Sequence, residues 1–286
     1  MRSVRLRELT GQRRAFRYIL AAANVVAAAY LLVGLHRQAP VAALLLPGGR
    51  AELVVPAGFA AAVFAEGLSG PRFITFGPDG RLYVAESGRD RVVALADTTG
   101  DGVSDGTVVF ASKLPAVHSV AWHDGALYAG VPTGVIELRD ADADGIAETR
   151  RTVVADLPAD GAHSTRTAVF LADGRMVVSV GSSCNVCEET DTRRASILVY
   201  DGASGSGERV FAKGLRNAVG LALEPASGEL WATNSGRDWL GDDLPPETLH
   251  IVKEGDDYGW PAVTPATSST PTTAARTRVA RWPRRR

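Results

Sequence analysis

Cysteine is scarce. Two in 286 residues exclude a small scaffold held by disulfides, and the length is ample for a self-sufficient apolar core. Lysine is nearly absent: three of the 31 basic residues are Lys and the rest Arg, which we read as a mark of GC-rich coding only. With five His, the candidates for proton transfer near neutral pH are few. No glycine loop of the GxGxxG or GxxxxGK[ST] kind occurs, which argues against a nucleotide cofactor. Ser164 and Ser182 sit in no nucleophile elbow. Between residues 52 and 261 no long 3.6-residue periodicity appears, so helical solenoids are excluded.

Charge of one sign is missing from the middle. Residues 1–17 carry six Arg and one Glu, and residues 262–286 carry six Arg and no acid. With a whole-chain net charge of -1, residues 18–261 hold -12. A body that acidic is a poor partner for phosphate backbones, so nucleic-acid binding is not expected.

The most apolar uncharged run is residues 18–35, YILAAANVVAAAYLLVGL, with Asn24 its one polar amide. At 1.5 Å per helical residue it approaches a bilayer core in length. Arg13, Arg14 and Arg17 precede it, which places residues 1–17 in the cytoplasm and the chain after Leu35 outside. The expectation is a signal anchor in the inner membrane with a periplasmic body. A signal peptide cleaved near Ala39–Ala43 and a buried core helix are the alternatives. Arg13-Arg14 is also a faint match to a twin-arginine export signal. Residues 36–50 read as a linker.

From residue 51 to 261 the chain repeats itself. Phe73–Val84, Ser119–Tyr128, Ala168–Val178 and Gly220–Trp231 each read as apolar strand, glycine turn, apolar strand. The turn residues Gly80, Gly125, Gly174 and Gly228 are 45, 49 and 54 residues apart. Further strands follow at Arg91–Leu95, Val135–Leu138 and Ile197–Tyr200. Several strands per repeat at this period predict an all-β fold, a β-propeller, with about four blades present. The competing architecture is a β-sandwich. Because propellers close into rings of six to eight blades more often than four, the blade number raises a question of completeness. After Pro261 the strand pattern stops. Residues 262–286, rich in Thr and Arg, read as a basic disordered tail or as translation in a shifted frame of a truncated gene; we favour the second.

Three smaller motifs stand out. Asp140-Ala-Asp142-Ala-Asp144-Gly145-Ile-Ala-Glu148 resembles a calcium loop, but Arg151 stands at the twelfth position where an EF-hand needs an acid, so solvated turns are expected there and at Asp97–Asp105. Cys184-Asn-Val-Cys187 has redox-motif spacing without a thioredoxin-like context, and no His follows for haem. Metal binding would need two further ligands. Outside the cytoplasm a short structural disulfide is the expected state.

The phrases Pro56-Ala-Gly-Phe59, Phe64-Ala-Glu-Gly-Leu68, Gly77-Pro-Asp-Gly80 and Gly161-Ala-His163-Ser-Thr-Arg166 come in order. They are followed by Gly214-Leu-Arg-Asn217, Asn234-Ser-Gly-Arg-Asp238 and Tyr258-Gly-Trp-Pro261. Over about residues 50–261 the sequence resembles the pyrroloquinoline quinone (PQQ)-dependent soluble glucose and sorbosone dehydrogenases, whose fold is a six-bladed β-propeller. The resemblance implies oxidation of an aldose or sorbosone-like sugar, with PQQ and calcium as cofactors and a cytochrome or quinone as onward electron acceptor. It implies His163 as the base that takes the hydroxyl proton while hydride passes to the quinone. Imidazole suits that task independently of the family. Arg216 and Asn217 match the pair on the quinone carboxylates, and a guanidinium fits a carboxylate in bidentate fashion. Arg166 and His118, each just before an inner strand, are further candidates for the cofactor site. The backbone of Gly236 and Arg237 matches the phrase that holds calcium on the quinone, and Glu247 with Tyr258 matches a second calcium site. Departures are Ala162, where some relatives have Asp before the His, the inserted Asp238–Asp243 stretch, and the absence of quinone-binding Lys and Arg that relatives carry in their last two blades. A non-catalytic binding propeller and a gene remnant are the alternatives.

Overall fold

The computed structural model describes residues 55–241 and 244–262. The candidate membrane span at 18–35, the linker at 36–50 and nearly all of the 262–286 tail lie outside them. Among the described residues no helix is long and apolar enough to cross a membrane.

Among the described residues fifteen strands form four antiparallel sheets, each a simple meander. Blade 1 is β1 (Pro71–Phe76), β2 (Leu82–Glu86), β3 (Arg91–Ala96) and β4 (Gly106–Ala111). Blade 2 is β5 (Ser119–His123), β6 (Ala126–Val131), β7 (Gly134–Arg139) and β8 (Thr149–Val154). Blade 3 is β9 (Ala168–Phe170), β10 (Met176–Val180), β11 (Ser196–Tyr200) and β12 (Arg209–Lys213). Blade 4 has three strands among the described residues, β13 (Leu221–Leu223), β14 (Leu230–Asn234) and β15 (Thr248–Val252). The first strands of successive blades lie against one another, as the inner strands of a propeller do.

Strand alternation decides which blade meets which. On β6, Leu127, Ala129 and Val131 pack toward blade 1, whereas Ala126 and Tyr128 pack toward blade 3. On β10, Met176, Val178 and Val180 face blade 2, and Val177 faces blade 4 with Ile197 and Val199. A period of two thus gives middle blades two buried faces, and each fully buried aliphatic side chain contributes roughly 1.5–3 kcal/mol. The remaining face of blade 1, with Val84, Val93 and Leu95, is covered in part by Phe64, Ala65 and Leu68. Glu86, wholly buried at the end of β2, fastens that segment. Its carboxylate accepts the Ser69 N–H at 2.7 Å and pairs with Arg89 and Arg91.

The repeat glycines occupy the first hairpin of every blade, with φ of 78°, 70°, 84° and 71° at Gly80, Gly125, Gly174 and Gly228. At Asp124-Gly125 both residues have positive φ between the paired His123 and Ala126, the geometry a two-residue hairpin demands. The outer strands β4, β8 and β12 are harder to see in the sequence. β8 reads TRRTVV and buries only its last two residues, because its other side faces solvent.

The meander also sorts the loops. Links between blades and the loops joining second to third strands share one end of the molecule; the glycine hairpins and the third-to-fourth-strand loops share the other. His118, His163, Arg166, Arg216, Asn217, Gly236, Arg237 and Glu247 all belong to the first end. The acidic loops Asp97–Asp105 and Asp140–Glu148 belong to the opposite end.

Candidate active site

His163 lies in the link from β8 to β9, half-buried. Its Nδ1 is 2.9 Å from the Ser182 carbonyl oxygen and 3.0 Å from Ser182 Oγ. Ser182 Oγ donates its own proton to the Cys184 carbonyl at 2.7 Å. Both groups facing Nδ1 are therefore acceptors, so Nδ1 carries the ring proton and Nε2 keeps its lone pair. Burial lowers the His163 pKa, the Arg216 charge acts the same way, and the Ser182 carbonyl opposes them. The ring is neutral at pH 7, with a basic nitrogen directed away from its anchor.

Arg216 and Asn217 sit in the link from β12 to β13. Arg216 as a residue is 2% exposed. Nε donates to Asn185 O at 2.9 Å, and NH2 donates to Asn185 Oδ1 at 2.8 Å and Asp238 Oδ2 at 2.7 Å. NH1 has only a long 3.5 Å contact with Ser235 O, so one edge of the fork is weakly engaged. Asn217 N donates to Asn234 Oδ1 at 3.0 Å, and Ser182 N donates to Arg216 O at 2.8 Å. A Cβ placed on Gly181 would come 2.6 Å from His163 Cβ and 2.8 Å from Asn217 Oδ1. The bare α-carbon is what lets His163 and Asn217 approach each other. The structure thus joins His163, Arg216 and Asn217 around residues 181–185. Cys184 and Cys187 are disulfide-bonded, as expected.

His118 enters blade 2 beside Arg72, 1% exposed. Its Nδ1 takes a long 3.5 Å hydrogen bond from Arg72 Nε, and its Nε2 has no partner. Burial, with Arg72 and Arg166 nearby, pushes its pKa down to about 4. Arg166 is fully buried and donates to the carbonyls of Pro158, His163 and Thr165. Burial, then the charge of Arg194, lowers it to about 10. Its guanidinium braces the loop that carries His163 and is not presented to a ligand.

Gly236 and Arg237 line a small cleft together with Arg216, His250, Tyr258 and Trp260. His163 does not line it; the two regions meet at Arg216. Glu247 Oε2 accepts the Gly236 N–H at 3.1 Å. The Tyr258 hydroxyl donates to Ile251 O at 2.8 Å and accepts the Lys253 N–H at 3.1 Å. Both of Tyr258's strong hydrogen bonds go to the β15 backbone and the residue after it. Asp140, Asp142, Asp144 and Glu148 do converge, with carboxylate oxygens within 4.8 Å of one another, and Glu148 accepts the Ala141 N–H at 2.8 Å. Sequence reading missed Ser182 and Asn185 as site residues. The signal was available: Ser182 stands just before the cysteine motif and Asn185 within it, but only the fold brings that motif to His163 and Arg216.

A family model described as TrAA12-like matches residues 53–254. The pyrroloquinoline quinone-dependent sugar dehydrogenase of Hypocrea jecorina (strain QM6a) is 25% identical over 236 residues, covering 70% of this chain and 54% of that protein. Among solved structures, an iodide form of the Trichoderma reesei Carbohydrate-Active Enzymes Family AA12 protein gives a TM-score of 0.64 at 24% identity, covering 73% of this chain and 59% of that one. The holo PQQ domain of pyranose dehydrogenase from Coprinopsis cinerea gives 0.63 at 24% identity, covering 75% and 60%. The chain spans about half the length of the curated dehydrogenase it matches. The structural likenesses bear out the propeller.

Proposed function

The chain belongs to the TrAA12-like family, and on that premise we propose that its propeller serves PQQ-dependent oxidation of a sugar, with His163 as the general base. The observation that carries this reading is the His163 ring itself: neutral, proton on Nδ1, lone pair on Nε2. A base in that state accepts a hydroxyl proton, and Ser182 holds it in the one orientation that keeps Nε2 available.

The donor set is compatible with the cofactor. PQQ is a polyanion, and Arg216, next in sequence to Asn217, is a buried cation with a weakly engaged NH1 edge. Arg216 and Asn217 would hold the cofactor carboxylates, and the backbone carbonyls of Gly236 and Arg237 would hold calcium. When bound, the quinone supplies a two-electron acceptor. The protein's own part is to anchor the anion, orient the sugar hydroxyl and remove its proton at His163 Nε2. An aldose or sorbosone-like sugar as substrate, hydride as the form in which the electrons leave it, a cytochrome or quinone as onward acceptor, and anchoring of a periplasmic body by residues 18–35 belong to the same proposal.

The test is a titration of the purified full chain with PQQ in the presence of Ca²⁺, followed by dye reduction with a panel of sugars. His163→Ala is expected to lower turnover by about 10²- to 10⁴-fold while leaving PQQ affinity within a few-fold. A folded protein that takes up no PQQ, or a His163→Ala variant with unchanged turnover, defeats the reading and moves the propeller to a binding role.

A further inference from the structure

The Cys184–Cys187 loop touches both halves of the site. Upstream, the Cys184 carbonyl accepts the Ser182 hydroxyl proton at 2.7 Å, and that bond makes Ser182 Oγ an acceptor toward His163 Nδ1. In the middle, Asn185 accepts from Arg216 twice, through its backbone oxygen at 2.9 Å and its Oδ1 at 2.8 Å. Asn185 Oδ1 also accepts the Asp238 N–H at 2.8 Å, which brings in the stretch that supplies the Arg216 counter-charge. Below the loop, Glu189 accepts from Ser183 N and Oγ at 2.7 and 2.8 Å and closes its base. No strand pairing holds residues 184–187; the disulfide is the covalent tie that limits the directions of these carbonyls.

We propose that the Cys184–Cys187 disulfide is a positioning element that sets the His163 tautomer through Ser182 and the Arg216 orientation through Asn185, so that the site depends on the oxidised state of this bond. This rests on the reading of His163 as base and Arg216 as anion anchor. Reduction by a dithiol breaks the S–S bond, delivers two electrons and two protons to give two thiols, and leaves the reductant as its cyclic disulfide. Both cysteines are half-buried, within reach of a small reductant. Once the loop is open, residues 184–187 recover backbone freedom. Ser182 Oγ then loses its fixed acceptor and is free to donate to His163 Nδ1, which favours the opposite tautomer, with the proton on Nε2. Only the Ser182 carbonyl still opposes that change. Arg216 at the same time loses two directed acceptors.

The experiment reads the ring nitrogens of His163 by NMR in isotope-labelled, cofactor-free full chain, assigned with His163→Ala, alongside a PQQ titration. The oxidised protein is expected to show a protonated Nδ1 and a bare Nε2. Reduction in place, or the double variant Cys184→Ser/Cys187→Ser, is expected to give a mixed-tautomer signal and PQQ binding weaker by about tenfold or more, with the far-ultraviolet circular dichroism retained. Ser182→Ala leaves the disulfide intact and removes the hydroxyl through which loop opening would act on the ring; only the Ser182 carbonyl then faces Nδ1, so the protonated-Nδ1 signal should persist and no longer respond to reduction, whereas the loosening of Arg216 on reduction should remain. If the double variant does not fold, in-place reduction and Ser182→Ala decide the matter. An unchanged ring signal in reduced, folded protein overturns the proposal. Should the oxidised protein bind no PQQ, the functional reading falls, while the ring signal still decides the role of the disulfide.

Discussion

His118 makes the acid response of this fold a quantity that can be worked out. The residue is 1% exposed, its Nε2 has no partner, and its neighbours Arg72 and Arg166 are cations. Burial in that setting takes its pKa from 6.5 to about 4. The unfolded chain therefore binds a proton near pH 6.5 that the folded chain refuses until about pH 4. The sign follows: stability is full above the unfolded value, falls as pH drops below it, and levels off below the folded value. Between pH 7 and pH 5 this one ring should remove about 2 kcal/mol. The measurement is urea unfolding of wild type and His118→Gln at a series of pH values. Glutamine keeps an acceptor for Arg72 and does not titrate. His163 and His250 are also shifted downward by burial, but they remain in both proteins and cancel in the difference. Wild type should lose about 2 kcal/mol more than the variant over that interval. Parallel stability curves would refute the argument, because they would mean that His118 takes up its proton in the folded state as readily as in the unfolded one.

Glu86→Gln keeps an acceptor for Ser69 N but removes the charge shared by Arg89 and Arg91, and should cost about 1–3 kcal/mol in urea unfolding at pH 7. Burial alone would raise the Glu86 pKa, but the Arg91 and Ser69 hydrogen bonds and the two Arg charges hold it below the usual value. Its stabilisation is thus present above the unfolded carboxylate pKa and fades as pH falls through the lower folded value, a slope the variant should lack. Gly181→Ala drives a methyl group into His163 and Asn217, so it should lower PQQ-dependent turnover at least about tenfold and cost about 1–3 kcal/mol in a thermal melt. Leu127→Ala opens a hole between blades 1 and 2 and should cost about 2–5 kcal/mol.

The sequence by itself determined the blades. Alternating apolar residues around positive-φ glycine turns can bury themselves only as antiparallel hairpins, and recurrence at near-constant spacing makes the hairpins stack. It also singled out His163, Arg216 and Asn217, and the fold brings all three together. The outer strands were less legible, since a strand such as TRRTVV with one wet side carries half the apolar signal. Arg166 showed the limit of local reading: a guanidinium before an inner strand can turn toward a ligand or toward carbonyls, and only packing chose the carbonyls of Pro158, His163 and Thr165. Tyr258 was decided in the same way, by β15 backbone groups within reach of its hydroxyl. The tautomer of His163 lay further still from the sequence. It depends on where the hydroxyl proton of Ser182, nineteen residues on, is directed. A proton's location follows from the direction of every acceptor around it, and those directions exist only once four blades have brought separate loops to one end of the molecule.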